Sequence, residues 1–354
     1  MASLAERLAA RTLELVDIPS ESLHEAEIRA HVRALVPPDW PAEIELEDAA
    51  LYAPPLRPGV PLVVLAGHYD TVPAQDNLPG RIDGEAVHGL GSTDMKGGLA
   101  VALELVRDLA VDGSGRYDVG LVLFGKEELP QTHNPLPELL QRSSLLHQTA
   151  LALLLEPTDG AIHAGCVGSM NARVTFRGTS GHSARPWLAD NAIDRAVQGL
   201  ASVVSYERRE AVVGGLSFFE VMSVTRFEAG LADNVIPDRA TAHINLRYPP
   251  DRTSEHVRAD LASLLPEDAE LEIIGDAPPG AVATGSPLVA ALLEAGATAI
   301  EPKQAWTNVA DFTAAGIDAV NFGPGHPALA HRRDEHVRID GLVHAYQTLR
   351  RLLG

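Results

Sequence analysis

Three short apolar runs constrain the fold of this chain most strongly. Residues 62–65, 119–124 and 151–155 are continuous stretches of mainly Leu, Val and Ala. Runs of this length that do not alternate with polar residues indicate strands buried on both faces. Helical patterns lie between them at residues 99–109 and 136–146. This order predicts an α/β layer, a sheet with helices on both faces.

A different pattern occupies the middle of the chain. Residues 173–177 and 239–247 alternate between apolar and polar side chains, which is typical of a sheet with one solvated face. Helical patterns lie nearby at residues 191–206 and 254–265. The predicted division is residues 1–167 and 280–354 for the α/β domain and residues 168–279 for an inserted α+β domain.

The two ends of the chain are predicted to be helical. Ser20 or Ser22 is expected to cap a helix that ends before Pro37. Near the other end, residues 319–322 predict a short strand and residues 342–353 a final helix.

The composition excludes several classes of protein. The chain has 28 Lys and Arg against 48 Asp and Glu, a formal net charge of −20, which disfavours nucleic acid and anionic membrane surfaces as partners. No apolar run reaches the roughly 18 residues that span a bilayer, and charges near the start argue against a signal peptide. The single cysteine, Cys166, excludes an intramolecular disulfide and is expected to be a packed, inert residue. We therefore expect a cytoplasmic protein whose chemistry uses His, Asp, Glu and hydroxyl groups.

Five polar segments follow predicted strands or lie in glycine-rich loops. Each also has an ordinary explanation when taken alone, such as a strand-end turn, a helix N-cap or a solvated acidic pair. Because the carboxyl ends of strands in an open α/β sheet line a ligand site, we expect the segments to meet there. Their chemistry-bearing residues are His68 with Asp70, Asp94, Glu127 with Glu128, Glu156, and His331.

Together these segments supply two imidazoles and at least three carboxylates. Such a set suits two divalent transition metals that share one bridging carboxylate. A further carboxylate beside the metals can take a proton from water. Strand alternation places His68 and Asp70 on the same side, so Asp70 can fix the imidazole ring.

The motifs carry a resemblance to a known family. The chain resembles the co-catalytic zinc metallopeptidases, which include succinyl-diaminopimelate desuccinylases, acetylornithine deacetylases and glutamate carboxypeptidases. Within the family it is most similar to the actinobacterial type of desuccinylase. The resemblance implies an aminopeptidase-like catalytic domain with a mixed central sheet flanked by helices, and an inserted ferredoxin-like domain that acts as a lid and dimerisation domain. The motifs comprise residues 67–73, 91–98, 127–128, 156–157, 178–183 and 330–331, and the closer match adds 184–185, 190–193, 234–238 and 321–335.

The resemblance also implies roles for individual residues. His68 and Glu156 would hold one zinc ion, Glu128 and His331 a second, and Asp94 would bridge the two; cobalt or manganese can substitute in such sites. Glu127 would be the general base and Asp70 would orient His68. The peptide bond between Asp94 and Met95 would be cis. Lys126 departs from the pattern as a cation beside the base, and strand alternation is expected to point it away from Glu127.

The inserted domain is expected to contribute to catalysis as well. The resemblance implies that His182 stabilises the oxyanion of the tetrahedral intermediate across a dimer interface, although it also fits a polar turn. Thr307 and Asn234 would line the substrate site. Arg185 would bind a substrate carboxylate, since guanidinium groups match carboxylates, although a solvated loop arginine is the alternative.

The expected function is hydrolysis of a small N-acyl amino acid by a homodimer with two zinc ions per subunit. N-Succinyl-LL-2,6-diaminopimelate is the expected substrate, which places the reaction in lysine and diaminopimelate biosynthesis. Two alternatives remain open at this point. One is another amidase of the family, such as an acetylornithine deacetylase or a metallo-dipeptidase or carboxypeptidase. The other is a non-catalytic relative that retains the fold as a binding module.

Overall fold

The computed structural model of the chain describes residues 2–113 and 115–354. Contacts between residues divide it into two units. The larger unit consists of Met1–Gly165, Ala281–Glu301 and Asn308–Gly354, and the inserted unit consists of Cys166–Gly280 and Pro302–Thr307. No helix among the described residues is long and apolar enough to cross a membrane.

The larger unit is built on a mixed eight-stranded sheet. Its strands are β1 (Ala42–Glu45), β2 (Ala49–Tyr52), β3 (Leu62–His68), β6 (Asp118–Phe124), β7 (Thr149–Leu154), β8 (Ile162–Cys166), β16 (Ile300–Lys303) and β17 (Ala319–Asn321). Their order across the sheet is β1-β2-β6-β3-β7-β17-β8-β16. Strand β3 is parallel to β6 and β7, and β17 is parallel to β7, whereas the β1–β2, β2–β6 and β17–β8 pairs are antiparallel. A smaller antiparallel sheet joins β4 (Arg81–Ile82), β5 (Ala86–His88) and β18 (His336–Arg338).

The three apolar runs of the sequence correspond to β3, β6 and β7, and the third run extends one residue past the end of β7. Every residue of β3 and β6 is buried, as expected for strands covered on both faces. The larger unit also contains helices α1 (Leu4–Val16), α2 (Ala26–Leu35), α3 (Gly97–Asp112), α4 (Leu136–Arg142), α8 (Pro287–Ala295), α9 (Val309–Ala314) and α10 (Ile339–Leu353). The predicted fold class, a mixed sheet with flanking helices and an inserted α+β domain, is confirmed.

The prediction for the start of α2 is wrong. The residue before the helix is Glu25, and no side chain caps it. The hydroxyl of Ser22 instead donates a hydrogen bond to Asp70, 48 positions along the chain. The Ser22 hydroxyl therefore bonds to a charged acceptor that is distant in sequence, instead of capping the helix as local rules predict.

The inserted unit is an antiparallel sheet with helices on one face. Strands β9 (Gly168–Arg177), β11 (Arg209–Val213), β12 (Leu216–Ala229), β14 (Arg239–Tyr248) and β15 (Glu270–Ala277) lie in the order β11-β12-β14-β9-β15. Helices α5 (Ala192–Gly199), α6 (Ala201–Val204) and α7 (Ser254–Ser263) contribute to the core on one side of the sheet. The alternation predicted for β14 is confirmed, because every second residue from Ala240 to Tyr248 is buried. The single helix predicted over residues 191–206 is two helices, which meet at Leu200.

A short pair of strands completes this unit. Strand β10 (Gly181–His182) is antiparallel to β13 (Val235–Ile236), with His182 opposite Val235.

Candidate active site

The predicted ligands of the larger unit come together at one edge of its sheet. His68 is the last residue of β3, where it lies opposite Phe124 at the end of β6. Glu128 follows β6, Glu156 follows β7, and His331 lies beyond β17. Since β3, β6, β7 and β17 are neighbouring strands linked by parallel pairings, their carboxyl ends bring these side chains together.

The carboxylate of Asp94 lies between the two histidines. Its Oδ1 is 3.3 Å from His68 Nε2 and its Oδ2 is 3.5 Å from His331 Nε2. On the first side, Glu156 Oε1 is 3.7 Å from His68 Nε2. On the second side, Glu128 Oε1 is 3.0 Å from His331 Nε2. The five side chains thus form two sets that share Asp94.

These distances fit metal coordination. Ligand atoms at about 2.0–2.1 Å from a tetrahedral zinc ion lie about 3.3 Å from one another. Atoms of His68, Asp94 and Glu128, which belong to both sets, also lie within 4.8 Å of one another, so the two sets are close neighbours. Among the described residues, neither Asp94 nor Glu128 is paired with a Lys or Arg side chain. The donor set therefore combines nitrogen and carboxylate ligands with an excess of negative charge that a divalent cation would neutralise.

The carboxylates around the two histidines raise the pKa of both imidazole rings. Hydrogen bonds to Asp94 and Glu128 raise the pKa of His331 to about 10. Burial alone would lower the pKa of His68, but hydrogen bonds to Asp70 and Asp94 raise it well above its ordinary value. Both rings are thus surrounded by groups that attract a positive charge.

The loop that carries Asp94 has an unusual backbone. The Asp94–Met95 peptide bond is cis, as the resemblance implies. Glu335 is buried behind this loop and accepts three main-chain N–H bonds at 3.0 Å, from Gly91, Thr93 and Asp94. Burial raises the pKa of Glu335 to about 7, although the N–H bonds oppose the shift. No local sequence pattern indicates a role for Glu335; its position four residues after His331 is the available signal.

The loop that follows β6 carries the two adjacent acids. The N–H groups of Glu127 and Glu128 donate to Asp70 Oδ1 and Oδ2 at 3.1 and 3.2 Å. The Lys126 side chain forms an ion pair with Asp48. The expectation that it points away from Glu127 rested on strand alternation, but the strand ends at Phe124 and Lys126 has a left-handed φ of 62°.

Glu127 belongs to neither of the two ligand sets. Its carboxylate makes no hydrogen bond or ion pair to the residues that the structure describes. Burial raises the pKa of Glu127 well above its ordinary value; the charge of His68 opposes this, and the carboxylates of Glu156, Glu128 and Asp94 add to it. A carboxylate with a raised pKa beside a metal-ligand set suits proton transfer at neutral pH.

Comparison with known proteins decides the family. Residues 64–354 match the profile of peptidase family M20/M25/M40. The chain belongs to this family. It is 38% identical over 348 residues to a Mycobacterium tuberculosis protein provisionally named succinyl-diaminopimelate desuccinylase, covering 97% of each chain. It is 36% identical over 350 residues to the succinyl-diaminopimelate desuccinylase of Corynebacterium glutamicum, covering 97% of this chain and 95% of that one.

Solved structures support the fold of this M20 peptidase. Aminopeptidase PepT from Bacillus cereus superposes with a TM-score of 0.79 at 19% identity, covering 99% of this chain and 98% of the other. Membership of the family makes the chain a metallopeptidase or amidohydrolase, and the His/Asp/Glu group described above is its candidate metal site.

In the inserted unit of this M20 peptidase, three predicted residues lie on neighbouring segments. His182 is on β10, and its carbonyl accepts a hydrogen bond from Arg185 N at 2.8 Å. The carbonyl of Asn234 accepts one from Ser183 N at 3.0 Å. His182, Arg185 and Asn234 are all exposed. The structure therefore brings these three residues into one exposed region of the unit.

Thr307 and Cys166 are end residues of the two segments assigned to the inserted unit, and Cys166 is also the last residue of β8. Both are buried, and the Cys166 thiol lies 3.5 Å from the Thr307 carbonyl. Burial raises the pKa of Cys166, which is consistent with the packed, inert residue expected from the sequence.

Arg247 is a further candidate residue that no sequence pattern indicates. It is partly buried on β14, and burial lowers its pKa. Its guanidinium donates to Asn245 at 3.1 Å, and no carboxylate among the described residues forms an ion pair with it. A cation that is partly desolvated without an acidic partner is a candidate anion-binding group. An arginine in a run of alternating strand residues carries no such signal in sequence.

Proposed function

We propose that the chain removes succinate from N-succinyl-LL-2,6-diaminopimelate as a dinuclear zinc amidohydrolase. The observation that carries the proposal is the shared carboxylate of Asp94, which faces His68 on one side and His331 on the other. The substrate assignment is supported by the two relatives named as desuccinylases, whose similarity extends over nearly the whole chain.

The proposed metal ligands are the five side chains of the two sets. His68 and Glu156 would hold one ion, Glu128 and His331 the second, and Asp94 would bridge. Zinc is proposed, two ions per subunit, with cobalt or manganese as substitutes. Such ions supply polarisation of the amide carbonyl and a lowered pKa for a water molecule.

Glu127 is proposed as the general base. Its carboxylate accepts a proton from the attacking water and then gives that proton to the leaving amine. The hydrogen bond from Glu127 N to Asp70 fixes the backbone from which the Glu127 side chain extends. The Glu127 carboxylate forms no hydrogen bond or ion pair with the described residues, so its oxygens are available. Asp70 also faces the ring of His68, with its Oδ1 3.4 Å from Nδ1 and its carbonyl 3.1 Å from Nδ1.

His182 is proposed to stabilise the oxyanion that forms when water attacks the amide. Its Nδ1 accepts a hydrogen bond from Ala184 N at 3.0 Å. In the neutral imidazole this bond places the proton on Nε2, which then becomes a donor. A donor held in one tautomer suits an oxyanion site.

A homodimer is proposed, in which His182 serves the site of the partner subunit. Large apolar side chains next to His182 support this arrangement, since Trp187 and Leu188 are 75% and 69% exposed. Adjacent exposed apolar residues of this size favour a surface that a partner covers.

The substrate contacts are proposed from the charge of the substrate. Succinyl-diaminopimelate has one carboxylate on its acyl group and two on its amino acid part. Arg185 and Arg247 form no ion pair with the residues that the structure describes, so both are available to bind these carboxylates. Asn234 and Thr307 are proposed as further substrate contacts.

Hydrolysis of a small panel tests the proposal. Zinc-loaded protein should cleave N-succinyl-LL-diaminopimelate with a higher kcat/KM than N-acetylornithine or a dipeptide. A preference for N-acetylornithine or the dipeptide would overturn the substrate while leaving the metal-dependent amidase intact. Loss of hydrolysis of the whole panel with both metals bound would favour a non-catalytic binding protein.

A further inference from the structure

Ser22 and Asp70 make a short buried hydrogen bond. The Ser22 hydroxyl lies 2.6 Å from Asp70 Oδ2, and both side chains are buried. The only other acceptor near this hydroxyl in the described structure is the Thr71 carbonyl at 3.5 Å. Because a hydroxyl has one proton to donate, Ser22 donates it to the nearer, charged oxygen of Asp70 and not to the carbonyl.

The backbone holds the Ser22 hydroxyl in this direction. Ser22 N donates to the Thr71 carbonyl at 3.1 Å, and Thr71 N donates to the Ser20 carbonyl at 2.9 Å. Residue 21 also forms a parallel bridge with Thr71. Two main-chain hydrogen bonds to Thr71 therefore join the two segments beside the Ser22–Asp70 contact.

Asp70 passes this fixed orientation to other groups. Its Oδ2 accepts from Ser22 and from Glu128 N, while its Oδ1 accepts from Glu127 N and faces His68 Nδ1. Rotation of the carboxylate would break both main-chain bonds at once. Among these partners, Ser22 is the side-chain donor at the shortest distance.

We propose that Ser22 is a positioning residue that fixes the Asp70 carboxylate and, through it, the Glu127–Glu128 loop. This rests on the proposed function for the roles of Glu127 and Glu128. The inference extends the task of Asp70 beyond orienting His68, because one carboxylate then aligns a histidine ligand and the two adjacent acids. Hydrogen bonds to a charged group are strong enough for their loss to change a rate about ten-fold or more.

A matched pair of serines tests the proposal. The Ser20 hydroxyl is also buried, but it has no hydrogen-bond partner in the described structure. We compare Ser22→Ala with Ser20→Ala, and with Ser22→Thr, which retains the hydroxyl. The readouts are hydrogen exchange of the Glu127 and Glu128 amides, zinc affinity by chelator competition, and kcat and KM.

Ser22→Ala should speed exchange of the two amides about ten-fold in the metal-free protein. It should also weaken zinc binding about ten-fold and lower kcat about ten-fold, with KM changed less than about two-fold. Ser20→Ala should stay within about two-fold of the wild type in every readout, and Ser22→Thr should restore most of the loss. Ser22→Cys, with a weaker donor, should give an intermediate exchange rate and replaces Ser22→Ala if that variant does not fold.

Equal exchange in Ser22→Ala and Ser20→Ala would overturn the proposal, as would wild-type exchange in Ser22→Cys when that variant is the one measured. Faster exchange in a protein whose wild type cleaves none of the panel would support the positioning contact and reject the proposed function. The two failures are thus distinguishable.

Discussion

The two units hold their candidate residues in different ways. In the larger unit His68 is fully buried, and its ring and the Asp94 carboxylate are held by several side-chain contacts. In the inserted unit His182 and Arg185 are exposed and are held mainly through main-chain hydrogen bonds. Buried carboxylates beside few cations favour metal binding, whereas exposed donors and cations remain available to an incoming ligand. Metal binding should therefore depend on the larger unit alone, and turnover on both units.

The largest expected effect comes from the residue that both ligand sets share. Asp94→Ala should release metal and reduce activity by more than about 10⁴-fold, the upper range for loss of a general base alone. Metal analysis of the purified variant measures the first effect and hydrolysis of the succinyl substrate the second. Full metal content in this variant would contradict the role of Asp94 as the ligand that both sets share.

Glu127→Ala separates chemistry from metal binding within the same unit. The variant should retain its metal and lose about 10²–10⁴-fold in kcat, because a base is removed and no ligand is. Metal content and kcat are measured on one preparation. If the variant arrives without metal, Glu127 is a ligand, and the roles of Glu127 and Glu128 are reversed.

His182→Ala tests the inserted unit. It should keep full metal content and lose about 10²–10³-fold in kcat, as expected for an oxyanion donor. Mixing it with Glu127→Ala should recover about a quarter of wild-type activity after subunit exchange, since half of the dimers would be mixed and each would have one intact site. No recovery after demonstrated exchange would argue against a donor from the partner. A fully active monomer would exclude the dimer model.

Arg185→Ala should give the smallest change and the most selective one. We expect kcat/KM for the succinyl substrate to fall about 30-fold, because a charge-assisted pair is lost. The acetyl analogue lacks the acyl carboxylate, so its kcat/KM should change little. Equal losses on both substrates would make Arg185 a structural residue.

The positions of three candidate ligands follow directly from chain order. His68, Glu128 and Glu156 each follow a continuous apolar run, so strand prediction alone placed them at one edge of a sheet. The cis bond after Asp94 came only from the family resemblance and is present. The lid and dimer roles, the number of metal ions and the residue roles stay predictions.

The side chains that local patterns did not place all have partners distant in sequence. Local helix rules assigned Ser20 or Ser22 to a helix cap, whereas Ser22 binds Asp70. Glu335 received no role, although it accepts three N–H bonds from a loop more than 240 positions earlier. Lys126 pairs with the distant Asp48, and the strand whose alternation suggested its direction has already ended; that it points away from Glu127 stays a prediction.

Local sequence patterns are enough to predict the α/β layer, the alternating strands of the inserted unit and the residue types at the strand ends. These follow from periodicity and from the order of elements, which are local properties of the chain. Three contacts are visible only in the folded chain: Asp94 faces both histidines, Glu335 accepts hydrogen bonds from the Asp94 loop, and Ser22 binds Asp70. Each of these contacts joins segments 26 to 244 positions apart, and a hydrogen bond between such segments depends on distances that only the folded sheet and its loops define.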